Sequence, residues 1–268
     1  MVKVSVLMPV YNQEKYLRYA LDSVMFQTFQ DFEVVIINDA STDGTLDILN
    51  QYRKQHPEKI RIFTQRRNKG VAASLNWGLK KTEGEYIARI DSDDVWAIDK
   101  LEKQVEVLDS DSKLYLLATD KQYINYKGEF HNHKTDEPIF SYQNIKRNIL
   151  KSNFICHSSV MFRRSIIDSV GFYNENYKNS EDYEYWIRII KQHKVEILPE
   201  KLTFYRVYNE MISLMRRKEQ IRYAIKAKRF GFKLYNKGIW YNFTLINDFI
   251  DYLKPRFLSK IKQLIIKK

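Results

Sequence analysis

Cysteine is almost missing: Cys156 stands alone among 268 residues. With no partner for a disulfide, the chain needs no oxidising compartment. Glycine is scarce too, at 8 residues, and neither a G-x-G-x-x-G nor a G-x-x-x-x-G-K-[ST] pattern occurs. These absences exclude the standard dinucleotide fingerprint and the P-loop. They also argue against a glycine-rich backbone cradle for phosphate, which makes a cation the natural holder of any bound diphosphate. No run of about 18 uninterrupted apolar residues is present, so no membrane span is expected. The opening Met1-Val2-Lys3-Val4-Ser5-Val6-Leu7-Met8-Pro9 reads as a strand and lacks the layout of a signal peptide. Repeats and low-complexity linkers are lacking as well.

What remains is an ordinary globular composition, 44% hydrophobic and rich in aromatics, with 19 Tyr, 15 Phe and 4 Trp. The length allows one large domain or two small ones with a real core. The net charge of +12 is unevenly placed. Residues 216–268 hold 15 Lys and Arg against Glu219, Asp248 and Asp251, which accounts for all of it. Residues 1–215 balance 30 basic against 30 acidic side chains. A neutral body with a basic tail points to an anionic partner for the tail, either a membrane surface or nucleic acid.

Apolar runs alternate with helical patterns through the first third. Strands are expected at Val4–Val10, Glu33–Ile37, Ile60–Thr64 and Glu85–Ile90. Helices are expected from about Glu14 to Phe26, from Thr45 to Gln55 and from Val71 to Lys80. This alternation implies a parallel sheet covered on both faces. Ligands of such sheets bind beyond the carboxyl ends of the strands, where the strand order switches. Each of those ends carries polar, turn-forming residues. They are Pro9-Val10-Tyr11-Asn12-Gln13-Glu14, Asn38-Asp39-Ala40-Ser41-Thr42-Asp43-Gly44, Arg66-Arg67-Asn68-Lys69-Gly70 and Arg89-Ile90-Asp91-Ser92-Asp93-Asp94.

The last of these is the centre of the chain. Three carboxylates within four residues repel one another unless a cation lies between them, and Mg2+ or Mn2+ prefers hard oxygen ligands of this kind. Taken alone, the cluster also fits a solvated acidic turn capping a helix that starts near Ala97. Capping likewise explains some of Ser41, Thr42 and Asp43, and Asn68-Lys69-Gly70 fits a plain turn. Capping gives no reason for Asp39, Asp91 and Asp93 to converge on one edge.

In collinear order from residue 2 to about 213, these stretches resemble the inverting family-2 glycosyltransferases of GT-A fold. Val4–Asn12, Asn38–Thr45, Asn68–Gly70 and Gly84–Asp94 carry the resemblance first. His157-Ser158-Ser159-Val160-Met161-Phe162, Glu181-Asp182-Tyr183-Glu184-Tyr185-Trp186-Ile187-Arg188 and Tyr205-Arg206 complete it. In detail the chain is similar to the bacterial enzymes that build capsule, O-antigen and lipooligosaccharide. The resemblance implies a mostly parallel, Rossmann-like α/β sheet with helices on both faces. It implies a UDP-sugar or other nucleotide-sugar donor, and a glycan or lipid-linked glycan acceptor. Tyr11 would stack on uracil while the backbone at Pro9, Val10 and Asn12 reads its edge. Asp39 would accept from the base or ribose, and Asn68 and Ser92 would lie along the donor. Asp91 would face ribose and metal, and Asp93 would bind the metal. Asp182 would be the general base, with Glu181, His157 and Trp186 lining the acceptor and Arg206 meeting phosphate.

From the residues alone, Glu181-Asp182 equally fits the first turn of a helix capped by Asn179 or Ser180. Trp186 fits the core as well as an acceptor platform, and Arg206 fits a surface ion pair. Cys156 next to His157 is read as simply buried rather than as a nucleophile. The chain departs from the family at Tyr208, where many relatives have histidine, and at Leu75, where many have arginine.

The expected catalytic unit is 1–215, with a nucleotide-sugar half of about 1–97 and an acceptor half of about 98–215. The basic helical tail is 216–268. Ile221, Ala224, Ile225, Phe232 and Tyr235 have helical spacing there. Two further amphipathic stretches include Ile239–Leu253 and Phe257–Ile265. Such helices suit an anionic membrane surface, with the alternative that they pack on the catalytic unit or on a second copy in a homodimer. The expected setting is cytoplasmic, peripheral on the inner face of the membrane, with no nucleic-acid partner. A sugar-nucleotide nucleotidyltransferase, or a non-catalytic module binding nucleic acid or membrane through the tail, are the rival readings.

Overall fold

The computed structural model describes residues 2–131, 141–209, 211, 215–238, 245, 246 and 248. Its first half alternates strand and helix: β1 (Val4–Val10), α1 (Leu17–Met25), β2 (Phe32–Asn38), α2 (Thr45–Gln55), β3 (Ile60–Thr64), α3 (Val71–Leu79) and β4 (Tyr86–Arg89). The second half holds β5 (Val95–Trp96), α4 (Lys100–Ser110), β6 (Leu114–Ile124), α5 (Tyr142–Asn148), β7 (Met161–Arg163) and α6 (Ile166–Val170). It ends with α7 (Glu181–Gln192), β8 (Lys194–Arg206) and α8 (Arg217–Leu234).

All eight strands form one sheet in the order β3-β2-β1-β4-β7-β6-β8-β5. The β3-β2-β1-β4 half is parallel, as is β6 with β8, while β7 and β5 run antiparallel to their neighbours. Every residue of β1 and β2 is buried, as expected for strands covered on both faces. Their side chains alternate between two cores. Leu7, Val35 and Ile37 join α3 and α7 on one side, while Val6, Met8, Val34 and Ile36 join α1, α2 and α4 on the other. The chain leaves β1 for β2 and β3, then returns to β4 on the far side of β1. The resulting switch in strand order lies at the carboxyl ends of β1 and β4, where sheets of this kind bind their ligands.

Two boundaries differ from expectation. Helix α1 starts at Leu17 because Glu14 is drawn into the turn, where its Oε2 accepts the Gly44 N–H at 2.7 Å. Helix α4 starts at Lys100 rather than near Ala97, because Val95 and Trp96 pair with β8 and the Ala97 N–H continues to the Leu202 carbonyl.

The tail's first expected helix is α8, and it packs on the domain. Ala227, Gly231 and Phe232 are buried against α7 and the end of α5. Gly231 is needed for that approach, since a Cβ there would sit 2.5 Å from Leu150 Cδ2. On the same helix Lys228, itself buried, bonds Asp248 at 2.5 Å. The amphipathic stretches expected at 239–253 and 257–265 lie, apart from residues 245, 246 and 248, outside the described residues.

Candidate active site

The loops after β1 and β2 are stapled together. Asn12, at φ 51°, accepts the Thr42 N–H at 2.8 Å, and its own N–H donates to Ser41 Oγ at 3.0 Å. Gln13 N–H donates to Thr45 Oγ1. Pro9 and Val10 are buried behind this clamp, and Tyr11 is left 45% exposed. Asp39 is buried and already holds three donors: Gln65 Nε2 and the N–H groups of Lys69 and Gly70, all within 2.9 Å. It therefore fixes the loop that opens α3, with Oδ2 accepting only one of the three. Asn68 is exposed on the same loop.

The acidic cluster behaves less uniformly than its spacing suggests. Arg89, the last residue of β4 and 2% exposed, gives both terminal guanidinium nitrogens to Asp91. Ser158 adds a hydroxyl to Asp91 at 3.1 Å and accepts the Asp91 N–H at 2.9 Å. The Asp91 carboxylate, expected to face ribose and metal, is thus held by Arg89 and Ser158 and stays 34% exposed. Asp93 accepts from Tyr208 Oη at 2.8 Å. Buried Asp94 accepts the Arg206 N–H at 2.8 Å through Oδ1 and leaves Oδ2 without a partner. Burial, and then the Asp91 charge, push Asp93 up to about 6. Burial and both neighbouring acids push Asp94 well above the usual carboxylate range. Such a cluster is short of positive charge.

Glu181 and Asp182 open α7. Ser180 occupies the N-cap position without a side-chain cap, and its hydroxyl is directed at the carbonyls of Asn179 at 2.8 Å and Gln220 at 3.1 Å. Asp182 is half-buried, accepting Asn153 Nδ2 at 2.9 Å and the Tyr183 N–H at 2.7 Å. Burial raises its pKa. Glu181 is buried, its Oε2 has no partner, and burial followed by the Asp182 charge pushes it up to about 8. Arg89 and Asp91 bear electrostatically on both acids. The strand-end cluster and the helix-end pair thus lie within electrostatic reach of one another.

Three further candidates are held by their neighbours. Trp186 is fully buried in the core with its ring edge-on to His157, in line with the core alternative. Arg206 is 2% exposed; its Nε donates to the Asp93 carbonyl at 2.8 Å and its Nη1 to the Asn125 carbonyl, and it stacks over Tyr16. These contacts brace the acidic loop. His157 is half-buried, bonded to Tyr173 Oη at 3.0 Å, and kept neutral by burial, which holds it well below its ordinary pKa. Ser92 is buried in the turn. Cys156 is buried and its thiol is pushed up to about 12, which leaves no thiolate for nucleophilic work.

A sequence profile for glycosyl transferase family 2 matches residues 5–171. The chain belongs to that family. An uncharacterised glycosyltransferase from Methanocaldococcus jannaschii is 30% identical over 268 residues, covering 96% of this chain and 91% of its own. Among solved structures, residues 1–349 of Staphylococcus aureus TarS in complex with UDP-GlcNAc match with TM-score 0.71 at 20% identity, over 94% of this chain and 76% of that one. The mannosyltransferase PcManGT from Pyrobaculum calidifontis, in complex with GDP-Man and Mn2+, matches with TM-score 0.67 at 18% identity, over 98% and 80%. The glycosyltransferase accordingly has the GT-A fold, and its activity is sugar transfer.

Several residues of this glycosyltransferase site carried no role in the sequence. Asn153 and Ser158 reach it from segments far from their partners. Arg89 and Asp91, two apart where β4 runs out, had a readable signal, since alternate residues of a strand share a face.

Proposed function

We propose that the enzyme is a metal-dependent, inverting transferase. It moves a sugar from a UDP-sugar to a hydroxyl of a glycan or lipid-linked glycan, in bacterial surface polysaccharide synthesis at the inner face of the membrane. What supports this reading is the nearness of two acid groups, since Arg89 and Asp91 at the end of β4 bear electrostatically on Glu181 and Asp182 at the start of α7. The catalytic unit spans 1–215, with donor contacts concentrated in about 1–97 and acceptor contacts in about 98–215, and 216–268 forms its basic extension.

The residues fit a divalent cation. The donor set is hard oxygen, the Asp94 Oδ2 atom is buried without a partner, and the one guanidinium paired in the cluster, Arg89, is committed to Asp91. Among the described residues no three His, Cys, Asp or Glu side chains form a closed shell. Mg2+ or Mn2+ held by one or two carboxylates would need substrate phosphates and water to complete its shell. Asp93 would hold the ion with Asp91 beside it, and the ion would offset the charge that builds on the departing diphosphate.

The protein's own work is positioning and proton transfer. Tyr11 stacks on the base, and the clamp through Asn12 holds the loop that reads it. The desolvated Asp182 takes the proton of the acceptor hydroxyl as its oxygen forms a bond to the anomeric carbon and the bond to the diphosphate breaks. One displacement of this kind inverts the configuration. Asn153 and the Tyr183 N–H keep the carboxylate oriented.

The test is hydrolysis of a UDP-sugar panel with Mn2+ or Mg2+, comparing wild type, Asp93→Ala and Asp182→Ala. Metal-dependent UDP release that disappears in Asp93→Ala, together with transfer to acceptor that disappears in Asp182→Ala, supports the proposal. No turnover of any nucleotide sugar with either metal would refute it.

A further inference from the structure

The tail's charge is ordered in space. Lys218, Arg222, Lys226, Arg229 and Lys233 are all exposed, and their spacing of four, four, three and four gathers them within an arc of about 80° along about 22 Å of α8. The opposite face, with Ala227, Gly231 and Phe232, is buried against the domain. Residues 216–237 contain nine basic residues and a single acid, Glu219, and Glu219 is engaged by Asn179 Nδ2 at 3.1 Å. Lys226 also reaches the Asn176 carbonyl at 3.2 Å, which holds it close to the loop before α7.

We propose that this outer face of α8 docks the enzyme on an anionic lipid bilayer. The inference rests on the reading of a lipid-linked acceptor and names the surface that meets it. A straight row of like charges, backed by a helix fixed to the domain, suits a diffuse anionic plane. The amphipathic basic sequence that continues beyond residue 238 suits the same partner. Position supports it too. The first turn of α8 is bonded to Asn179 and Ser180, which immediately precede Glu181-Asp182. Docking through α8 therefore sets the acceptor end of the cleft next to the lipid surface. The anchor is α8 itself and not the final residues alone.

The experiment is sedimentation of the full chain with mixed phosphatidylglycerol and phosphatidylcholine vesicles, and with phosphatidylcholine alone. One variant carries Arg222→Glu, Arg229→Glu and Lys233→Glu. A second carries Lys260→Glu, Lys262→Glu and Lys267→Glu. Each basic residue near an anionic leaflet strengthens partition by roughly fivefold, so the α8 variant should lose at least about 100-fold. The second variant should lose less than about tenfold, and binding should weaken as salt rises. Equal binding by the α8 variant, or a greater loss in the second variant, overturns the proposal. So does a wild type that binds heparin or single-stranded DNA but not the anionic vesicles. Donor hydrolysis should be unchanged in the α8 variant, which shows that it is folded. Loss of hydrolysis in the wild type would count against the transferase reading and not against the docking face.

Discussion

Tyr208 donates its phenolic hydrogen to Asp93 Oδ2 at 2.8 Å, and receives one from Gln13 Nε2 at 3.2 Å. The residue thus links the proposed metal carboxylate to the loop after β1, where the nucleobase would lie. Where many family members place histidine, this chain places a neutral donor that aims the carboxylate.

Removing that donor should loosen Asp93. Partners that orient a metal-binding carboxylate are commonly worth 10–100-fold in affinity, so Tyr208→Phe should weaken Mn2+ binding by about tenfold. Titration by electron paramagnetic resonance measures this directly. UDP binding without metal should change much less, and equal losses in both would mean that the loop had collapsed.

Glu181 should cost stability at alkaline pH. Its pKa rises from 4.5 to about 8 on folding, with burial as the main cause. A raised carboxyl favours the fold fully below about 4.5, and that contribution is lost as pH climbs towards about 8. Glu181→Gln should therefore stabilise the protein at pH 8 by on the order of 2–4 kcal/mol. The gain should vanish near pH 4.5 in urea melts run across the range.

Asp182 acts in its ionised form, and burial raises its pKa. Transfer to acceptor should fall as pH drops through that raised value. Asp182→Asn should remove the pH limb and lower kcat by about 10²–10⁴-fold, with KM for the donor nearly unchanged. Steady-state kinetics from acid to neutral pH would check both.

Arg89 is a buried cation whose removal strands Asp91 and bares the other acids to one another. Breaking such a pair typically costs about 3–5 kcal/mol, so Arg89→Met should show a loss of that size in chemical denaturation. Added Mn2+ should recover part of it if the ion takes over the lost positive charge.

The parallel half of the fold was legible because its strands are buried on both faces and its helices carry clean periodicity. Helix α2 and strand β3 fall at Thr45–Gln55 and Ile60–Thr64, as expected. The far half was not legible, for physical reasons. Strand β5 has only two residues. Strand β6 mixes Asp120, Lys121 and Gln122 into an apolar run, and β8 carries Pro199 and Glu200 through a shift in register against β6. At the site, the acids were visible as a cluster, but their division of labour was not. Which carboxylate is paired depends on Ser158 and Tyr208, whose contacts span 67 and 115 positions and follow no spacing rule.

The solitary, buried Cys156 gives the chain an internal clock for opening. Its thiol is shielded and held in the neutral form, so alkylating reagents can reach it only when the surrounding layers part. Labelling of the unmodified protein over time would then count excursions from the closed state, with no reporter group added. For the same reason, a cysteine introduced on the outer face of α8 would be the one fast-reacting thiol in the folded chain, ready to carry a depth probe to a lipid surface.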